Sequence, residues 1–451
     1  MSPSPARLRW SIVAVLAAMA LAVLDAGMVN VALPTLGRAF GIPPGEALLA
    51  VSAYQLALLI GLLPCAHLAE RLGFRRFFIG GVGLFGFASL LCAVAPSLPL
   101  LVAIRSAQGL GAAAIMALGV ALLRAALGTD RLADAIGWNA LTIAICSAAG
   151  PTLGALVLSL GSWRWLFLAG LPFSIVALIA ARRLPEVGAT GDPVDIFAIV
   201  LHAATAASLF GAMRKFADHP LVATLWLAAA LLSFTLLLRR ERGRERPVLP
   251  FDLLTRPRFR ASVLASVCCF TAQSAGLVGL TFYLQNGLGH GPMVTGLLLT
   301  CWPIAVGMTS IAARRLGERI DAGGQCALGA TLLAIGLALS ASLPPEGGVA
   351  PLAVAALACG GGFGMFQLAN NRNLFLIAPE ERSAAAGGMQ GTARLMGQTA
   401  GTLLAALLFA SIASNVVAPR AGLAAAAIFA FAAALISWRQ SSVSTSHGKA
   451  D

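Results

Sequence analysis

Apolar blocks long enough to cross a membrane recur along the whole chain, and they restrict its fold more than any other feature. Fourteen are legible, at 11–33, 47–65, 77–95, 98–123, 133–160, 164–184, 194–213, 220–238, 260–284, 292–313, 325–343, 349–371, 384–410 and 419–438. About 20 apolar helical residues cross a bilayer's hydrocarbon core, so each block reads as a spanning helix. The first is too long for the apolar region of a cleavable signal. Of 451 residues, 59% are apolar and 11% charged. Soluble domains carry about 25% charged residues. That balance excludes a soluble, disordered or nucleic-acid-binding chain.

The net charge of +13 acquires meaning from its placement. If both termini are cytoplasmic, 23 of the 31 basic residues fall in cytoplasmic segments and 5 on the other side. The cytoplasmic set includes Arg71, Arg75, Arg76, Arg182, Arg183 and the eight Arg between Arg239 and Arg260. Such a bias orients membrane helices, and it predicts an even span number with both ends inside. Trp10, Trp163, Trp165 and Trp438 fall at span ends, where interfacial aromatics belong. The eight Cys are scattered through apolar stretches without metal-ligand spacing and read as small apolar side chains.

The loop Leu68-Ala69-Glu70-Arg71-Leu72 resembles Leu316-Gly317-Glu318-Arg319-Ile320, 248 residues and eight spans later. This suggests a duplicated chain with two spans inserted between six-span halves. The expected organisation is a bundle over 1–184, two inserted helices over 185–238, and a basic linker over 239–259. A second bundle over 260–438 and a tail over 439–451 complete it. The basic linker reads equally as a headgroup-binding segment or as an orientation signal.

Five segments share motifs with one family. Span 1 ends Leu24-Asp25-Ala26-Gly27-Met28-Val29-Asn30-Val31-Ala32-Leu33-Pro34, similar to LDxTxVNVALP with Gly27 in place of Thr. The loop His67 to Arg76 is similar to GxLaDrxGrrx, with Ala66 for Gly and Glu70 for Asp. Arg105-Ser106-Ala107-Gln108-Gly109-Leu110-Gly111-Ala112 resembles RxxQGxGaa. Gly150-Pro151-Thr152-Leu153-Gly154 resembles the antiporter motif gxxxGPxxGG, with Cys146 and Ala155 where Gly is commoner. Trp163-Arg164-Trp165-Leu166-Phe167 resembles WRWiF. In these motifs and their order the chain resembles the fourteen-span drug:proton antiporters of the major facilitator superfamily. The resemblance implies an all-α integral membrane protein: two six-helix bundles plus two inserted helices. It also implies proton-driven export by alternating access.

Asp25 is the only acidic residue deep in a span. Burying it costs about 2.5–3.5 kcal/mol even on insertion scales. Arg105 is its expected partner: counted from Leu33 and Leu98, both lie roughly 10–12 Å from the same surface. Two roles stand side by side for Asp25: a proton-coupling or cation-recognising charge, or a structural bridge to Arg105. Arg394 is the second intramembrane charge, with no acid on spans 9, 10 or 12 to pair with it. Arg372 reads as an arginine reaching the interface. Glu70, Arg71, Gly73 and Arg75 form a candidate cytoplasmic latch. Gly150, Pro151 and Gly154 form a candidate kinked, close-packed gate. Substrate-contact candidates are Gln55, Met116, Asn139, Gln273, Phe282, Trp302, Gln367, Arg394 and Gln398, each with a packing role as its alternative.

The expected protein is a monomeric transporter of the bacterial inner membrane, in contact with lipid. It would export hydrophobic or cationic compounds, using a proton gradient and no cofactor. A metabolite or siderophore exporter is the alternative. A membrane enzyme is disfavoured, because the spans offer one carboxylate and one histidine, His202, on the inserted pair.

Overall fold

In lipid no water satisfies backbone N–H and C=O groups, so apolar segments must close their hydrogen bonds internally. The described residues of the computed structural model are accordingly helical. They are 5–127, 132–186, 195–215, 219–241, 251–316, 320–344, 348–378 and 383–447. The chain divides into two compact units, Met1–Arg240 and Glu241–Asp451.

The first unit carries α1 (Pro5–Phe40), α2 (Pro44–Ala47), α3 (Leu49–Leu72), α4 (Phe74–Ala93) and α5 (Leu98–Leu127). It continues with α6 (Leu132–Leu160), α7 (Arg164–Ala169), α8 (Leu171–Ala181), α9 (Ile196–Lys215) and α10 (Pro220–Glu241). The second carries α11 (Phe251–Leu254), α12 (Pro257–Phe282), α13 (Pro292–Leu316) and α14 (Ala322–Ser342). It ends with α15 (Val349–Ile377), α16 (Ser383–Ser411) and α17 (Val417–His447). A π-turn, Tyr283–Gly287, extends α12.

Among the described residues thirteen helices are long and apolar enough to cross a membrane. The seventh expected span is α9, a 20-residue helix whose described apolar part is Ile196–Ala212. The sixth is built from α7 and α8, which meet at Gly170. The first runs past its expected end at Leu33, through Pro34, to Phe40. The chain turns at Gly41, whose φ of +63° favours a residue without Cβ.

The two units pack alike. In the first, α1 packs on α6 and α8, α3 and α4 pack on α5, and α4 on α8. In the second, α12 packs on α16 and α17, α13 and α14 pack on α15, and α14 on α17. Close glycine approaches repeat as well. A Cβ on Gly109 would strike the Tyr54 carbonyl, and one on Gly360 the Trp302 carbonyl. A Cβ on Gly111 would lie 2.8 Å from the Gly81 carbonyl, and one on Gly362 2.5 Å from that of Gly329. Tyr54 and Trp302, like Gly81 and Gly329, are 248 residues apart, the spacing of the two similar loops. Residues 317–319 of the second loop lie outside the described residues, as do residues 242–250 of the basic linker.

Among the described residues α9 and α10 have no counterpart in the second unit. Thr205 donates to Ser233 at 3.0 Å, and Arg240 pairs with Asp195 at 2.8 Å. α9 also packs on α3 of the same unit. Leu221, Leu225 and Leu231 of α10 are exposed. Apolar side chains on the outside of spanning helices are the expected lipid-facing surface.

Candidate functional site

Asp25 and Arg105 meet inside the first unit. Asp25 projects from α1 and Arg105 from the third turn of α5, and Arg105 Nη1 donates to Asp25 Oδ2 at 2.6 Å. Both are enclosed, with 4% and 0% exposure. Burying two ions costs several kcal/mol each unless geometry and further hydrogen bonds compensate. Here they do. Arg105 Nη1 also donates to Gln108 Oε1 at 2.6 Å, and its Nε donates to the Ala50 carbonyl at 3.2 Å. Gln108 Nε2 donates to Asp25 Oδ1 at 3.1 Å and to Ser89 Oγ at 2.8 Å. Ser89 in turn donates to the Phe85 carbonyl at 2.9 Å. The guanidinium lies over the Tyr54 ring, 4.3 Å from its centroid, and 5.7 Å from that of Phe167. Stacking on an aromatic face compensates part of a guanidinium's desolvation.

Five helices therefore converge on one charge pair: α1, α3, α4, α5 and α7. The sequence pointed to Asp25 and Arg105 but not to Gln108, Tyr54 or Ser89 as members of the cluster. Gln108 had a usable signal, because a residue three positions after Arg105 shares its helix face.

The antiporter-like motif packs on the same helix as Asp25. A Cβ on Gly27 would lie 3.0 Å from Gly150 Cα, and one on Gly154 would lie 2.8 Å from Met28 Cα. Gly27, Gly150 and Gly154 let α1 and α6 touch backbone to backbone around Pro151. The Thr that commonly stands at position 27 would not fit this contact without displacement.

Part of the latch lies within the described residues. Gly73 holds φ +91° between α3 and α4, a conformation suited to glycine. Arg75 pairs with Glu186 at 3.3 Å, a partner the sequence did not suggest. The side chains of Glu70 and Arg71 lie outside the described residues.

The substrate candidates scatter. Asn139 on α6 and Trp302 on α13 are buried, and Asn139 Oδ1 and Trp302 Nε1 have no partner among the described residues. Gln273 on α12 is half-buried, and its Oε1 has no partner among the described residues. Gln55, Met116, Gln367, Arg394 and Gln398 are half-buried, and Arg372 is exposed. Phe282 is 1% exposed and packs edge-on against Phe409 at 4.9 Å.

Comparison with known proteins agrees with this architecture. The family model of the Major Facilitator Superfamily matches residues 15–402. An "Uncharacterized transporter YebQ" of Escherichia coli (strain K12) is 39% identical over 434 residues, covering 95% of this chain and 94% of that protein. A "Multidrug resistance protein Stp" of Mycobacterium tuberculosis (strain CDC 1551 / Oshkosh) is 31% identical, covering 86% and 74%. A "Riboflavin transporter RibZ" of Clostridioides difficile (strain 630) is 25% identical, covering 86% of each. The chain belongs to the Major Facilitator Superfamily. It is a multi-pass membrane transporter with the major facilitator fold, and not an enzyme.

Proposed function

We propose that this transporter exports hydrophobic or cationic small molecules in exchange for protons, with Asp25 as the proton-carrying carboxylate. One observation carries the reading: the alternative acceptors around Arg105. Protonating a carboxylate beside a buried guanidinium ordinarily orphans the cation. Here Gln108 Oε1, the Ala50 carbonyl and the Tyr54 ring remain on Arg105 when Asp25 is neutral. The pair can therefore pass between ionised and neutral acid without leaving a bare buried charge. A carboxylate serving only to fix packing needs no such reserve.

The relative named for multidrug resistance supports export of varied compounds. The relative named for riboflavin favours a second reading, in which the cargo is one specific metabolite. In either case alternating access would come from one bundle moving against the other, driven by the ion gradient. The protein would sit in a bacterial inner membrane with both termini cytoplasmic, as the basic-residue bias implies.

Proteoliposomes with an imposed proton gradient test the proposal. Wild-type protein should accumulate a hydrophobic dye against its gradient, and Asp25→Asn should not. Accumulation at the wild-type rate by Asp25→Asn, at equal protein content, removes Asp25 from the mechanism.

A further inference from the structure

A cavity of about 500 Å³ opens at one end of the first unit. Four segments wall it: the start of α1, the start of α4, the end of α5 and the residues after α8. Leu8, Ala125, Ala126 and Pro185 form an apolar side. Ser11, Arg75 and Glu186 form a polar side. Ser11 is 1% exposed, and its Oγ donates to the Arg183 carbonyl at 3.4 Å, which ties α1 to the chain beyond α8. Ser11 and Asp25 are fourteen residues apart on α1, about 21 Å along the helix, so the cavity is separate from the buried charge pair.

Charge around this cavity is lopsided. Arg9, Arg76 and Arg124 are exposed and are direct chain neighbours of the lining residues Leu8, Arg75 and Ala125. Arg182, also exposed, lies three residues before Pro185. With Arg75 that makes five guanidiniums, against one carboxylate in the described lining, Glu186. The Arg75–Glu186 pair does not seal the site. Its members are 3.3 Å apart and 29% and 68% exposed, and an ion pair so exposed is worth little. A phosphate can accept two parallel hydrogen bonds from a guanidinium, so it can replace Glu186 on Arg75.

Depth narrows the occupant. Trp10, two residues after Leu8, is 45% exposed at the end of the first span. Indoles at span ends sit at headgroup level. A free anion has no use for the apolar side of the cavity, whereas a phosphodiester carrying acyl chains uses both sides. Basic pockets between spanning helices take such headgroups.

We propose that this cavity is a binding site for an anionic phospholipid, with the headgroup phosphate on Arg75 and the glycerol against Leu8, Ala125, Ala126 and Pro185. On the orientation proposed above, the lipid comes from the cytoplasmic leaflet. The site depends neither on the cargo nor on proton coupling.

The test is native mass spectrometry of the purified full chain in detergent, reading the affinity of the first lipid bound. The probes are dioleoylphosphatidylglycerol and dioleoylphosphatidylcholine, which share acyl chains and differ in headgroup charge. One arginine near an anionic headgroup contributes about fivefold, so the expected preference for phosphatidylglycerol is at least about tenfold. Arg75→Gln should weaken phosphatidylglycerol about fivefold, and Glu186→Gln, which removes the competing carboxylate, should tighten it. Ala125→Phe fills the cavity from an exposed position, leaves every charge in place, and should cut the preference at least about fivefold. Equal affinities for the unsubstituted protein overturn the proposal whether or not the variants fold. A preference that Ala125→Phe leaves intact in a monodisperse preparation also overturns it, because general attraction to a basic surface needs no cavity. Displacement of the bound lipid by millimolar inorganic phosphate overturns it in favour of a free-anion site. Weaker binding by Glu186→Gln overturns it in favour of a zwitterionic headgroup.

Discussion

Replacing Asp25 with Asn keeps the shape of the side chain and removes its charge, and the structure sets the size of the effect. Removing one member of a buried ion pair costs about 3–5 kcal/mol when the other is stranded. Arg105 is not wholly stranded here. It keeps Gln108 Oε1 at 2.6 Å, the Ala50 carbonyl at 3.2 Å and the Tyr54 ring at 4.3 Å. The expected loss is therefore at the low end, about 3 kcal/mol. Arg105→Ala should cost more, about 5 kcal/mol, because it strands Asp25 and also empties the space between Tyr54 and Phe167. The double variant Asp25→Asn with Arg105→Gln removes both charges and should recover at least about 1 kcal/mol relative to the single losses. The assay is reversible unfolding in mixed micelles, followed by tryptophan fluorescence, with a double-mutant cycle built from the midpoints. Strict additivity of the two single losses refutes the argument, because charges 2.6 Å apart and enclosed cannot act independently.

Other outcomes follow from the same geometry. Gln108→Leu removes a donor to Asp25 and to Ser89 and should destabilise the fold by about 1–3 kcal/mol in the same unfolding assay. Gly154→Ala places a Cβ 2.8 Å from Met28 Cα, so it should lower stability by about 1–3 kcal/mol and slow transport; an unchanged midpoint contradicts the tight α1–α6 contact. Arg75→Ala should shift the midpoint by less than about 1 kcal/mol, since Arg75 and Glu186 are 29% and 68% exposed; a larger loss means the pair is shielded from water.

The fold was legible to a large degree because membrane helices announce themselves by length and hydropathy. Five motifs then supplied the family. What escaped was geometry. Pro34 looked like a natural end to the first span, yet a helix tolerates proline when neighbouring groups absorb the lost bond, and α1 continues to Phe40.

The site was legible through energy rather than pattern. A charge that is costly to bury singled out Asp25 and Arg105, and helix rise placed them level. Their supporting shell was not readable, because Ala50, Tyr54 and Ser89 reach Arg105 or Gln108 from other helices, selected by packing. Phe282 shows the converse. An aromatic residue on a spanning helix has no sequence mark that separates a cavity wall from a core contact, and here Phe409 occupies its face. The repeat was visible only as one pair of similar loops, whereas its stronger signature lies in glycines whose backbones touch across helices.

Proton counterflow is the most direct test of the central claim. Proteoliposomes carrying a trapped pH-sensitive dye are given an outward gradient of a transported compound and no imposed proton gradient. The account predicts that wild-type protein moves protons opposite to the compound and that Asp25→Asn moves none. Compound flux through the wild-type protein without proton movement, or undiminished proton movement through Asp25→Asn, contradicts it.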